Sequence, residues 1–163
     1  MLTRRHLLTQ SAIGLVAAAV APWGMAASRA DETFAVTHTD AEWHKLLTPD
    51  QFAVLRKSAT ERPFTSALLH EQRRGDFTCA GCDLVLFSST TKYDSRTGWP
   101  SFWAPLEKAV GTTRDTSFGT VRTAVHCARC GGHLGHVFDD GPKPTGLRYC
   151  MNGVALAFKP ATA

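Results

Sequence analysis

No acidic residue precedes Asp31 in this 163-residue chain, and no uncharged apolar run reaches the ~18 residues that a helical membrane span requires. The chain also lacks an internal repeat of useful length and a low-complexity linker, which excludes a solenoid and argues against a string of domains. The acid-free start carries Arg4, Arg5 and His6, then a mostly apolar run from Ala12 to Ala27, then Ser28, Arg29 and Ala30. A basic start, a short apolar middle and small residues at a cleavage point form a secretory signal, expected to span residues 1–30 and to be cut before Asp31. The paired arginines point to the twin-arginine route and hence to the periplasm. An uncleaved membrane anchor is the competing expectation, but the apolar run is short and Pro22 would interrupt it; once the segment is cut away, no stable membrane insertion is expected. Residues 31–163 are then one domain.

Loss of the signal removes three arginines and no acids. Lys+Arg falls from 18 to 15 against 14 Asp+Glu, so the mature net charge is about +1. Without a basic stripe the domain has no electrostatic footprint for nucleic acid, since such binding rests mainly on phosphate neutralisation.

Thr39 with Glu42, and Thr48 with Gln51, have the spacing of capping boxes, and Pro49 stands where a first helical residue tolerates proline. Two short helices are expected, burying Leu46, Leu47, Phe52 and Leu55. From Gly75 onward the pattern changes to short apolar or alternating runs at Leu84–Phe87, Phe118–Val125, Leu147–Met151 and Val154–Phe158, divided by Gly, Pro and Asp. This half reads as antiparallel β-structure.

There are five cysteines. Cys79-x-x-Cys82 and Cys127-x-x-Cys130 are two tight pairs, and two such pairs complete a tetrahedron of thiolates around one ion. Four soft ligands with no open position favour one structural zinc, with iron as the second choice. Disulfides are the competing expectation for an exported protein. The twin-arginine route, however, carries proteins already folded, so the metal site can be built in the cytoplasm. A redox-active CxxC of the thioredoxin type fits poorly, because there are two pairs and no βαβ pattern.

Cys150 is left over. In the run Leu147-Arg148-Tyr149-Cys150-Met151-Asn152, a strand places Arg148, Cys150 and Asn152 on one face. A neighbouring guanidinium favours the thiolate, which is the nucleophilic form, and an amide can hold the reacting group. A buried, inert core cysteine is the plain alternative. His133 and His136 lie in a glycine-punctuated segment and would be polar loop residues or metal ligands, but four cysteines leave no vacancy on a tetrahedral ion.

Together the two CxxC pairs, Gly98-Trp99-Pro100-Ser101-Phe102, the run from Gly132 to Pro142, and Gly146-Leu147-Arg148-Tyr149-Cys150-Met151-Asn152 resemble the B-type methionine sulfoxide reductases, in the family's order over residues 39–159. The resemblance implies a mainly β fold of two antiparallel sheets, tent-like, with short N-terminal helices and a zinc clip. It implies reduction of methionine-R-sulfoxide, in proteins or peptides with the free amino acid left open as a substrate, by nucleophilic Cys150 through a sulfenic acid. Trp99 corresponds to the indole that lines the methyl pocket. His133, His136 and Asn152 correspond to residues lining the site, and Asp140 and Arg148 to groups that bind the substrate region or orient its neighbours. Protonation of the departing oxygen calls for a histidine, His136 before His133.

Many members carry a resolving cysteine just before Gly-Trp-Pro, and here Thr97 stands in that place. With the other cysteines committed to zinc, reduction of Cys150 is expected from outside, by a thioredoxin-like or other thiol partner. Gly153 departs from a serine common in the family. A monomer is expected. The rival reading is a zinc-stabilised binding or chaperone module of the same fold without catalysis.

Overall fold

The computed structural model describes residues 33–162, so the signal segment at 1–30 lies outside the described residues. Among the described residues, no helix is long and apolar enough to cross a membrane.

Both capping boxes form. The Thr39 hydroxyl accepts from the Glu42 amide, whose carboxylate accepts from the Thr39 amide at 2.8 Å, starting α1 at Asp40–Leu46. Thr48 and Gln51 do the same for α2, Pro49–Lys57, with Pro49 in the first turn. Satisfying the orphan amides in this way lets helices of two turns begin at defined residues. Their buried residues are Trp43, Leu47, Phe52, Val54 and Leu55, whereas Leu46, expected inside, is 59% exposed. The early end of α1 explains the difference: Leu47 leaves the helix in an extended conformation and takes the inward place, while Trp43 one turn earlier fills the core.

Among the described residues nine strands follow: β1 Gly75–Cys79, β2 Val85–Ser88, β3 Lys92–Tyr93, β4 Ser101–Phe102, β5 Val110–Asp115, β6 Arg122–Cys127, β7 His133–Phe138, β8 Arg148–Met151 and β9 Leu156–Pro160. All pairings are antiparallel. They make a three-stranded sheet, β2-β1-β9, and a six-stranded sheet, β3-β4-β8-β7-β6-β5. The expected mainly β fold of two antiparallel sheets with two short helices is the one observed.

Aromatic side chains join the sheets. Phe77 of β1 meets Phe102 of β4 edge-on at 4.9 Å between ring centres, and Phe87 of β2 stacks on Phe102 at 4.4 Å. All three are fully buried. Such pairs contribute about 0.5–1.5 kcal/mol each beyond area burial, so this cluster fixes the angle at which the central strands of the larger sheet face the smaller one.

Candidate active site and four-thiol cluster

Cys79 closes β1 and Cys82 lies in the turn before β2, while Cys127 closes β6 and Cys130 lies in the turn before β7. Two hairpin ends, one from each sheet, thus bring their sulfurs together. All four Sγ atoms lie within 4.8 Å of one another. Cys79 and Cys130 are 3.7 Å apart, and Cys82 and Cys127 3.4 Å. A tetrahedral ion with bonds of about 2.3 Å requires sulfurs about 3.8 Å apart, whereas a disulfide requires about 2.05 Å. All five cysteines are free, so the structure carries none of the alternative disulfides. Cys127, beside Cys130, is held well below the ordinary thiol range, and the same crowding, first through Cys127, pushes Cys79 well above it. Four neighbouring thiols cannot all ionise unaided, and a divalent cation is the group that permits it. The donor set therefore fits a metal ion.

Cys150 sits on β8 between β4 and β7, with Ser101 and His136 as its direct cross-strand partners. It opens on a small cavity of about 110 Å³ lined by Thr60, Trp99, Arg122, Gly135, His136, Phe138, Cys150 and Asn152. Gly135 is the reason two backbones can run so close beside the thiol: a Cβ there would collide with the Cys150 carbonyl oxygen.

The glycine-punctuated histidine segment is a strand, not a loop. Pairing runs from Val125–Gly135 to His126–His133, so Leu134 is an extra residue and β7 bulges there. The bulge resets the alternation, and His133 and His136, three apart, pack ring to ring at 5.3 Å. Their environments nevertheless differ. His136 lines the cavity, and its Nε2 lies 2.8 Å from Asp115 Oδ2. Hydrogen bonds to Asp115 from Ser117 first, then from His136, hold that carboxyl well below the usual range, so it is an acceptor and Nε2 is the donor. Nδ1 is the ring nitrogen that Asp115 does not engage. His133 is buried, and its Nε2 has no hydrogen-bond partner among the described residues. Burial first, then the neighbouring His136, pushes His133 down to about 4, so it is neutral near pH 7.

Asn152 follows β8 rather than lying in it, yet it still faces the cavity beside Cys150. Both ends of its amide are used: Nδ2 donates to the Leu134 carbonyl at 3.1 Å, and Oδ1 accepts from the Glu61 amide at 3.0 Å. Glu61 also takes the Trp99 indole N–H on its carbonyl at 3.1 Å, while its carboxylate accepts from the Gly153 and Val154 amides. Burial raises the Glu61 carboxyl. One loop residue therefore sets the positions of two cavity walls. At Gly153 a Cβ would run into the Ser66 hydroxyl, which accounts for glycine in this chain.

Arg148 and Asp140 form a two-bonded pair, at 2.8 and 2.7 Å, with the guanidinium 4.3 Å from the centre of the Phe138 ring. Neither lines the cavity; they brace Phe138, which does. Sequence reasoning missed Asp115, Arg122, Glu61, Thr60 and Phe138. Asp115 and Arg122 are bonded at 2.7 Å across the ends of β5 and β6, a proximity that only strand pairing creates. The Asp-x-Ser turn at 115–117 was the available signal.

A two-sheet scaffold with a four-thiol cluster at one end and a single separate cysteine facing a histidine–carboxylate pair defines a thiol-dependent enzyme-like site. Residues 47–160 match the SelR domain. The chain is 56% identical over 126 residues to the peptide methionine sulfoxide reductase MsrB of Pseudomonas putida (strain W619), covering 77% of this chain and 95% of that one. It is 51% identical over 127 residues to MsrB of Leptospira interrogans serogroup Icterohaemorrhagiae serovar Lai (strain 56601), covering 77% and 97%. To MsrB of Agrobacterium fabrum (strain C58 / ATCC 33970) it is 52% identical over 126 residues, covering 77% and 93%. The chain belongs to the SelR-domain family, that of the B-type methionine sulfoxide reductases.

Proposed function

We propose that the chain is a peptide-methionine (R)-S-oxide reductase whose nucleophile is Cys150. The carrying observation is the cavity in which the one cysteine outside the four-thiol cluster faces His136 and Trp99. The Cys150 thiol proton passes to His136, held by Asp115; the thiolate attacks the sulfoxide sulfur, and His136 returns that proton to the oxygen. The oxygen passes to Cys150 as a sulfenic acid and the substrate leaves as methionine, so one thiol and one sulfoxide become one sulfenic acid and one thioether. The Trp99 indole, fixed by the Glu61 carbonyl, packs the methyl group. Preference for the R epimer follows the family resemblance.

Regeneration needs two external thiols, which return Cys150 to the thiol and release water and a disulfide. Thr97 Oγ1 lies 3.8 Å from Cys150 Sγ, in the place where a resolving cysteine would act and cannot. The four-thiol cluster holds one zinc with Cys79, Cys82, Cys127 and Cys130 as ligands, a closed site that contributes stability and no chemistry. The start of the chain directs twin-arginine export, so the substrates are oxidised periplasmic proteins and the reductant a thioredoxin-like thiol there. The mature protein is a monomer in this reading.

The test is activity on peptide-bound methionine sulfoxide, each epimer separately, with dithiothreitol as reductant. Turnover of the R epimer alone, lost at least 1000-fold on the order of a removed nucleophile in Cys150→Ser, is expected. Full activity in Cys150→Ser would move the reading to a non-catalytic module of the same fold.

A further inference from the structure

The Cys150 sulfur stands at the end of a row of hydroxyls. Thr97 Oγ1 lies 3.8 Å from Sγ, Ser95 Oγ 2.8 Å from Thr97 Oγ1, and Ser101 Oγ 2.7 Å from Ser95 Oγ. The far end is a carbonyl, with Ser101 Oγ 3.3 Å from the Trp99 oxygen. The row is built rather than incidental. Ser101 is fully buried and is the cross-strand partner of Cys150. Arg96, between the other two hydroxyl residues, takes a left-handed conformation at φ 59°, and its amide donates to Asp94 Oδ1 at 2.9 Å. This turn places the side chains of residues 95 and 97 within reach of each other.

Each hydroxyl has one proton to give and lone pairs to receive, so the charge on the sulfur decides how protons can be shared along the row. With Cys150 as a thiol, S–H donates to Thr97, Thr97 to Ser95, Ser95 to Ser101, and Ser101 to the Trp99 carbonyl. With a thiolate, three protons serve four links, and the arrangement that aligns every hydroxyl with the charge releases the Trp99 carbonyl: Ser101 donates to Ser95, Ser95 to Thr97, and Thr97 to the sulfur. We propose that Ser101, Ser95 and Thr97 form a hydroxyl chain that reverses direction with the charge on Cys150, making Thr97 the hydrogen-bond donor that positions the thiolate. A residue that removes the resolving thiol thereby supplies a hydrogen bond to the nucleophile in its stead. This rests on the reading of Cys150 as nucleophile.

The titratable and charged groups facing Cys150 are His136 from β7, Arg122 from β6, Arg148 from its own strand, and Tyr93 from β3. None is changed in the test. The rate of Cys150 alkylation by iodoacetamide is followed against pH in the metal-loaded mature protein, with the modified peptide identified by mass spectrometry. In Thr97→Val the profile moves to higher pH by about one unit, a loss of roughly tenfold in rate on its rising limb, as expected for a charge-assisted hydrogen bond. Thr97→Ser restores the original profile, and Ser95→Ala gives an intermediate shift. A Thr97→Val or Ser95→Ala profile superimposed on that of the unaltered protein would overturn the chain, as would a Thr97→Val shift that serine does not reverse. Alkylation needs no sulfoxide, so this outcome is separate from whether Cys150→Ser abolishes reduction.

Discussion

His133 and His136 are three residues apart, packed ring to ring, and yet suited to different work. Contact with an ionised Asp115 fixes the tautomer of His136 and holds the ring against the cavity, while His133 is buried with no hydrogen bond for Nε2 among the described residues. The consequence for stability has a definite sign. Folding lowers His133 from an ordinary 6.5 to about 4, so its neutral form is favoured in the native state. The stability this confers is complete above pH 6.5 and is lost as pH falls through about 4, amounting to about 3 kcal/mol. Urea unfolding at pH 7.5 and pH 4.5, in the same metal-loaded state, should show a smaller acid loss in His133→Gln than in the unaltered protein. Equal losses would mean that His133 stays accessible to protons. Glu61 shows why part of the site was illegible: it lies in a loop more than thirty positions from Trp99, and nothing in its surroundings marks it. Its role comes from the Trp99 indole, the Asn152 side-chain amide and the backbone amides of Gly153 and Val154, which only folding brings near.

At the scale of elements, the helix starts were legible because a capping box is a local exchange between residues three apart. Strands β2, β6, β8 and β9 overlap the apolar runs, and Cys150 lies on a strand as the alternation at 148–152 suggests. β7 was not legible, since Gly131, Gly132 and Gly135 break every periodicity and the strand is held by β6 and β8 on either side. Gly135 is the point at which that neighbour requirement is absolute. Gly135→Ala forces a Cβ against the Cys150 carbonyl and should cost about 2 kcal/mol or more, with loss of reductase activity out of proportion to the remaining folded fraction. Denaturant unfolding and single-turnover rates on the same sample check both. An alanine variant with native stability and rate would show that β7 and β8 can separate without consequence.

Across the whole molecule, the four-thiol cluster ties the β1–β2 hairpin of one sheet to the β6–β7 hairpin of the other. The ligand spacing announced this site, and the structure adds that the clip spans both sheets at the end where α2 also packs, with Arg56 donating to the Cys130 carbonyl at 3.0 Å. One zinc per chain is expected by elemental analysis. Stripping it with a chelator under reducing conditions should lower the melting temperature by roughly 10 °C or more, since even about 3 kcal/mol shifts a domain of this size that far. A metal-free protein melting at the same temperature would leave the aromatic cluster of Phe77, Phe87 and Phe102 as sufficient to hold the sheets. In the proposed reading, metal ligation keeps the cluster's thiols out of the reaction, and Cys150 acts without a thiol partner in its own chain.

That separation can be measured in one turnover. The protein, loaded with zinc, is mixed with one equivalent of a peptide methionine-R-sulfoxide and no reductant, the methionine formed is counted, and every cysteine is mapped by mass spectrometry after trapping. The account predicts one methionine per chain, a sulfenic acid on Cys150, and intact Cys79, Cys82, Cys127 and Cys130. A disulfide joining Cys150 to any of those four would contradict it.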